Sequence, residues 1–112
     1  MSAVSNSRFG VVLVTAASEG EAQKMARSLV ESRLAACVSY FPVRSHYRWQ
    51  GEICEEGEWQ LLIKTDLSLF PALEAHVKAL HSYEVPELIA LPVVAGSESY
   101  LGWLGEMMEP LS

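Results

Sequence analysis

The sequence predicts an α+β domain, and three observations lead to this fold class. Apolar runs without helical periodicity alternate with amphipathic helical stripes, the elements follow the order strand, helix, strand, strand, helix, strand, and one more helical stripe comes after the last strand. That order is a split pair of β-α-β units, the ferredoxin-like sandwich, here with a long β-hairpin and an extra C-terminal helix. The length of 112 residues suits a single domain. We expect this domain to span residues 9–112, after a flexible N-terminal segment over residues 1–8.

The first strand and the first helix are predicted by a change of period after residue 15. Residues 9–15 are apolar on both alternating faces, which is typical of a central strand. Ser18 and Glu21 then match a capping box, and one helical stripe follows at Ala22, Met25, Ala26, Leu29 and Val30. The charged residues of this helix lie largely off the stripe, so we interpret them as a solvated face without chemistry: Glu21, Lys24, Arg27 and Glu31.

A long β-hairpin is predicted by two runs rich in β-branched and aromatic residues, over 37–49 and 53–65, with Gln50-Gly51 as the turn between them. In the second arm Trp59, Leu61 and Ile63 face one way, and Glu58, Gln60 and Lys64 face the other. Pro42 cannot donate a ladder hydrogen bond, which indicates an edge strand or a bulge in the first arm.

The length of this hairpin predicts assembly with other chains. Each arm is about twice the usual strand length, so the helices of one small domain cannot cover it to the tip. Tyr47, Trp49 and Trp59 would leave an exposed aromatic patch near the tip of a monomer. Another copy of the same chain is the simplest partner to cover that patch.

Two further helices and a buried strand complete the predicted fold. Ser68 is expected to cap the second helix, which has Pro71 in its first turn and a stripe at Phe70, Leu73, Val77 and Leu80. The apolar run over residues 88–94 is typical of a strand covered on both faces. Ser97 is expected to cap the third helix, whose stripe is Tyr100, Leu101, Leu104, Met107 and Met108.

Composition and charge exclude several functional classes. A formal net charge of -6 opposes binding to nucleic acid, which needs a basic face, and favours cations or neutral partners. No stretch reaches membrane-spanning length and the first residues lack the pattern of a secretory signal, so we expect a cytoplasmic protein without membrane contact. Cys37 and Cys54 are too far apart in the predicted hairpin to bond, and we expect two reduced thiols.

No pattern in the sequence indicates an enzyme. The turn after the first strand lacks the glycines of a phosphate-binding loop, and no feature pairs a nucleophile with a histidine base. We therefore expect a binding protein without turnover.

The segment over residues 81–87 is the best candidate site, because a helix must end there and a strand begins. Pro86 cannot continue a helix, so His81, Tyr83, Glu84 and Glu87 are gathered on a short segment held at both ends. We place His81 at an accessible helix end and take His81, Glu84 and Glu87 as candidate metal ligands. The structural alternative is that His81 caps the helix and Glu87 starts the strand.

Four stretches of the sequence, residues 36–38, 45–52, 62–65 and 81–87, together closely resemble the CutA family of divalent-cation-tolerance proteins. The likeness extends over residues 11–103. It implies a ferredoxin-like domain, a homotrimer whose hairpins reach across subunits, and an architecture related to the PII-type signalling proteins. It also implies a link to copper and other divalent ions.

The chain differs from some bacterial relatives in that family at two positions. Relatives that look copper-binding carry a cysteine in the first strand and a histidine just before the His-x-Tyr motif, where this chain has Val14 and Leu80. One imidazole with carboxylates makes a weaker and less selective copper site than imidazole with thiolate. The resemblance therefore implies a weak copper site in this chain.

Two functional hypotheses follow, and they differ in the charge of the ligand. The first is a cytoplasmic homotrimer that binds a divalent metal, copper(II) above all, for ion tolerance or homeostasis, with His81 as the main ligand. The second is a PII-like signalling trimer that holds a small molecule or anion in clefts between subunits through Arg48, Lys64 and Tyr83. A third hypothesis is a structural trimer that serves as a platform for a partner protein.

Overall fold

The computed structural model describes residues 3–4 and 8–110. The strands are β1 (Ala3–Val4), β2 (Phe9–Ala16), β3 (Cys37–Trp49), β4 (Glu52–Asp66), β5 (Ile89–Pro92) and β6 (Gly96–Ser97). The helices are α1 (Glu19–Glu31), α2 (Phe70–Leu80) and α3 (Glu98–Met107), and a 3₁₀ turn at Leu67–Leu69 precedes α2. Among the described residues, no helix is long and apolar enough to cross a membrane.

The expected flexible segment, residues 1–8, lies partly outside the described residues. Of its described residues, Ala3–Val4 pair with Gly96–Ser97 as a short two-stranded sheet. Arg8 Nε donates to Asp66 Oδ2 at 2.7 Å.

The main sheet has the strand order β3-β4-β2-β5, and the neighbouring strands are antiparallel. This is the order of a ferredoxin-like sandwich, so the predicted fold class is confirmed. β2 lies inside the sheet, as its two apolar faces predicted. The core forms where α1 and α2 cover one face of the sheet, and its fully buried side chains include Val12, Val14, Met25, Leu29, Leu61, Ile63, Leu73 and Val77.

The hairpin turns at Gln50 and Gly51, as predicted. Both residues have positive φ angles, 51° and 81°, which give the tight turn that matches the twist of two antiparallel strands. The register puts Tyr47 opposite Cys54, far from Cys37, and both cysteines are free thiols. β3 is an edge strand, which explains how it accepts a proline at position 42.

The two faces of the sheet differ in what covers them. On the helix-covered face, Trp59 packs against the core and meets the ring of Tyr40 edge-on at 6.0 Å. On the helix-free face of the hairpin lie Tyr47 and Trp49, which are 38% and 54% exposed. Of the three residues of the predicted aromatic patch, Tyr47 and Trp49 therefore share this face, whereas strand alternation puts Trp59 on the opposite one.

Two further local expectations are wrong. β5 is an edge strand with Ile89 and Leu91 about half exposed, so it is not covered on both faces. Ser68 does not cap α2, whose N-cap residue is Leu69 and which has no side-chain cap bond. Asp66 instead caps the 3₁₀ turn before α2, since its carboxylate accepts from the backbone N–H and the hydroxyl of Ser68.

The third helix is capped by Ser97, as predicted. Its stripe is only partly buried: Leu101, Leu104 and Met108 pack with Phe9 in a small second cluster. Tyr100 and Met107 are exposed instead.

Candidate functional site

The candidate site begins where α2 ends. His81 takes extended backbone angles directly after Leu80, and Pro86 prevents the chain from resuming a helix. The loop over residues 81–87 then runs beside the hairpin. Its Tyr83 hydroxyl donates to Glu58 Oε2 at 2.8 Å, and Gln60 Nε2 donates to Glu87 Oε2 at 2.9 Å.

These bonds make a groove between the loop and the helix-free face of the hairpin, with a volume of about 760 Å³. Four carboxylates line it, those of Glu56, Glu58, Glu84 and Glu87. Three aromatic rings also line it, those of Tyr47, Trp49 and Tyr83. Among its described lining residues there is no lysine or arginine, so the groove carries a negative potential. We call it the acidic groove.

Two phenols of the acidic groove are hydrogen-bonded to its carboxylates. Burial raises the pKa of Tyr83 above its ordinary value, and the bond to Glu58 raises it further. A hydrogen bond to Glu56 raises the pKa of Tyr47 to about 12. Both phenols therefore stay protonated near neutral pH and donate to the carboxylates. Glu58 is only 7% exposed, and the Tyr83 hydroxyl gives its buried charge a partner.

The side chain of His81 is buried, although we expected it at an accessible helix end. Its side chain is 0% exposed. Nε2 lies 2.6 Å from the carbonyl oxygen of Thr15, and Nδ1 accepts from the backbone N–H of Tyr83 at 2.9 Å. The expectation of an accessible imidazole is wrong because the end of β2 packs against the ring and covers it. The structural alternative was correct in part: His81 is the C-cap residue of α2, whereas β5 starts at Ile89 and not at Glu87.

The three candidate metal ligands do not converge within the chain. Glu84 and Glu87 line the acidic groove, whereas His81 does not, and both of its ring nitrogens are engaged with the backbone of Thr15 and Tyr83. Over residues 3–4 and 8–110 no group of three or more His, Cys, Asp or Glu side chains is arranged to hold a metal ion. The residues of one described chain therefore do not fit a closed metal site.

Arg48, Lys64 and Tyr83, the candidate anion ligands, are also not brought together within the chain. Arg48 pairs with Ile53 beside the hairpin turn, whereas Lys64 pairs with Val11 near the other end of β4. Eleven strand positions separate Ile53 from Lys64, which corresponds to roughly 36 Å. Lys64 Nζ instead lies 5.5 Å from the centre of the Tyr100 ring.

Glu21 is the functional residue that sequence reasoning missed. Its Oε1 accepts from the backbone N–H of Ala17, and its Oε2 accepts from that of Ser82 at 2.8 Å. Burial acts to raise the pKa of Glu21, but these bonds outweigh it and lower the pKa below its ordinary value. Glu21 thus joins the start of α1 to the loop. The capping box was the only local signal, and it does not predict the contact with Ser82.

The sequence is similar to a known protein family over most of its length. A family model described as CutA1 divalent ion tolerance protein matches residues 10–107. The divalent-cation tolerance protein CutA of Thermus thermophilus is 54% identical over 97 residues, which cover 86% of this chain and 94% of that protein. The divalent-cation tolerance protein CutA of Pectobacterium atrosepticum is 48% identical over 95 residues, covering 84% of this chain and 86% of that one.

Solved structures agree with these matches. CutA from Synechococcus elongatus PCC7942 superposes with a TM-score of 0.93 at 38% identity, covering 96% of this chain and 96% of that one. The Cut A1 structure from Thermus thermophilus gives a TM-score of 0.87 at 51% identity, covering 90% of this chain and 99% of that one. The family model and the relatives match most of the sequence, and this matched part includes the main sheet. The chain therefore belongs to the CutA family of divalent-cation tolerance proteins.

Proposed function

We propose that this protein acts in divalent-cation tolerance as a homotrimeric binding protein without turnover, and that cations reach it through the acidic groove. The observation that carries the proposal is the charge of the groove, which four glutamates line. A concave surface of negative charge raises the local concentration of cations. The cytoplasm is the compartment we propose, because two unpaired thiols suit a reducing environment.

Self-assembly is supported by the face of the sheet opposite α1 and α2. β3 and β5 are its outer strands, and each leaves one unpaired edge. Large apolar side chains are exposed along the same face, namely Phe41, Tyr47, Trp49, Ile89 and Leu91. Large apolar side chains exposed together on one face are typical of an interaction surface. The resemblance to the CutA family is the reason for proposing three copies.

Copper(II) is the ion that we propose binds most tightly. For a given set of nitrogen and oxygen donors, copper(II) is bound more tightly than the other first-row divalent ions. Glu84 and Glu87 are candidate oxygen donors in the acidic groove. Because one described chain does not gather three donors, a complete set requires water or carboxylates of another copy.

Binding of a small organic molecule is the second candidate function, and one observation favours it. CutA from Synechococcus elongatus PCC7942 has been solved in complex with a Bis-Tris molecule. In this chain the acidic groove favours a cationic or neutral molecule over an anion, since Tyr83 is engaged with Glu58 and Lys64 lies elsewhere.

Titration calorimetry of the full chain with copper(II), zinc, Bis-Tris and a nucleotide separates these functions. The test variant replaces three groove glutamates, E56Q/E84Q/E87Q, and the control replaces three exposed glutamates outside it, E98Q/E106Q/E109Q. Both variants lose the same formal charge. We expect the test variant to bind copper(II) weaker by on the order of tenfold, and the control to bind as the wild type does.

Absence of copper(II) heat in the wild type, or equal losses in the two variants, would contradict the cation proposal. Heat from Bis-Tris alone would favour the second candidate. Sedimentation of the same samples tests the assembly: we expect a mass about three times the 12.4 kDa of the chain. A stable species of one chain mass would contradict it.

A further inference from the structure

His81 has a hydrogen-bonding pattern that defines its chemical state. The Thr15 carbonyl can only accept, so Nε2 must carry a proton, and the Tyr83 amide can only donate, so Nδ1 must carry a lone pair. The ring is therefore the neutral tautomer with its proton on Nε2. Neither nitrogen is left for a metal ion, since each is used in a bond to the backbone.

We infer that His81 is a positioning residue that holds the loop wall of the acidic groove, and that it is not a ligand for the ion. The inference rests on the proposed function only in taking the groove as the place where the ion binds. In this role the imidazole forms hydrogen bonds to the backbone of two segments that are distant in sequence, the end of β2 and the loop after α2.

The contacts of His81 lead directly to the groove. Its bond to the Tyr83 amide fixes the backbone two residues ahead, and the Tyr83 ring packs against the imidazole at 4.8 Å between ring centres. The Tyr83 hydroxyl then reaches Glu58 on the hairpin at 2.8 Å. Through this chain of contacts, the imidazole sets the distance between the loop and the hairpin.

A second anchor keeps the loop next to the imidazole. Glu21 accepts from both the backbone N–H and the hydroxyl of Ser82, at 2.8 and 3.1 Å. The loop is thus held by Thr15 through His81, by Glu21 through Ser82, and by Glu58 through Tyr83. A metal ion on either nitrogen of His81 would break one of these anchors and leave a buried carbonyl or N–H without its partner.

Two substitutions separate positioning from ligation. In His81→Asn the side-chain oxygen replaces Nδ1, since both atoms lie three bonds from Cα. This oxygen can accept a hydrogen bond from the backbone N–H two residues ahead. In His81→Ala that acceptor is lost. Asparagine is a poor substitute for imidazole as a copper ligand. Recovery of binding by asparagine therefore reports positioning.

We expect His81→Ala to weaken copper(II) binding by on the order of tenfold, and His81→Asn to recover most of that loss. Amide hydrogen exchange of Tyr83 should be fast in the alanine variant and slow in the asparagine variant, as in the wild type. Equal loss of copper binding in both variants, with Tyr83 protected in the asparagine variant, would overturn the inference.

Nitrogen NMR of the wild type gives a readout that needs no variant. We expect the ring of His81 to show the Nε2–H tautomer and to keep its shifts when zinc is added. The ring of His46 is exposed, so its nitrogen shifts in the same spectra show how an accessible imidazole responds to zinc. A zinc-dependent shift of either nitrogen of His81 at stoichiometric metal would overturn the inference. If the wild type binds neither metal, the proposed function fails, whereas the tautomer and the Tyr83 exchange still decide the role of His81.

Discussion

The two halves of the hairpin are parts of the same pair of strands, but different contacts stabilise them. In the half next to the sheet, β4 pairs with both β3 and β2, and Leu61 and Ile63 are fully buried under the helices. In the distal half, β3 and β4 pair only with each other among the residues that the structure describes, and Trp49 and Ile53 are 54% and 72% exposed. The hairpin thus extends beyond the core of its own chain, and the distal half needs further support.

The two halves should differ most in how much the free energy of unfolding changes when one side chain is truncated. Leu61→Ala should lower the free energy of unfolding by about 2–5 kcal/mol, because it leaves a cavity in the core. Ile53→Ala should change it by less than about 0.5 kcal/mol for the isolated chain, because the side chain is exposed. Urea unfolding at one fixed protein concentration measures both. A large loss from Ile53→Ala would mean that another chain covers the distal half.

The anchor at the base of the hairpin should have a smaller effect that depends on pH. Burial would raise the pKa of Asp66, but bonds from Arg8 and Ser68 lower it below its ordinary value. A carboxyl with a lowered folded pKa stabilises the fold above its unfolded pKa, and this contribution is lost as the pH falls through the folded pKa. Asp66→Asn should therefore cost roughly 1–2 kcal/mol at neutral pH.

Unfolding of Asp66→Asn and the wild type at pH 7 and at about pH 3 checks the sign of this effect. The difference between the two proteins should shrink in acid. A difference of the same size at both pH values would contradict a contribution from the charge of Asp66.

The turn at the distal end should respond to two substitutions with opposite signs. Gly51 has a positive φ and open space where a Cβ would lie, so Gly51→Ala should cost about 1 kcal/mol through backbone conformation alone. Gln50→Asn should stabilise by a few tenths of a kcal/mol, since asparagine tolerates positive φ better than glutamine. Thermal unfolding measures both, and shifts of the same sign would contradict this account.

Charge pairs on the distal half should have the smallest effect. Glu55 lies 3.7 Å from Arg44 and 3.2 Å from His46, and all three side chains are more than half exposed. Glu55→Gln should cost less than about 0.5 kcal/mol. The control is Glu31→Gln on α1, where Glu31 lies 3.0 Å from Arg27 in an exposed pair and a similar small loss is expected. A loss well above that of the control would show that charges, rather than another chain, support the distal half.

The order of elements, the hairpin register and the helix caps at Ser18 and Ser97 were predictable because they depend on neighbouring residues. Alternation along β4 predicted which residues face the helices, and Gln50-Gly51 predicted the turn. The position of β5 was not predictable in this way. Its apolar run shows that the strand is hydrophobic, but the pattern does not reveal whether a neighbouring strand, a helix or another chain covers it.

The loop of the site was predicted, whereas the role of its histidine was not. A helix end followed by Pro86 located the loop from local sequence. Burial of His81 depends on Thr15, which lies 66 positions away, and the anchor of Ser82 depends on Glu21, 61 positions away. Such contacts follow from how the sheet and helices pack, so no local pattern distinguishes a buried imidazole from an accessible one.

The inner position of β2 has a consequence for the synthesis of the chain. A ribosome makes β2 first among the strands of the main sheet, yet its neighbours are residues 59–66 and residues 89–92. During translation this apolar strand is complete about forty residues before its first partner begins. Both of its edges stay open for that interval, and the second closes only after residue 92 has been made. The nascent chain is therefore open to aggregation and chaperone binding through β2 until residue 92 has been made, although this strand is protected on both sides once folding is complete.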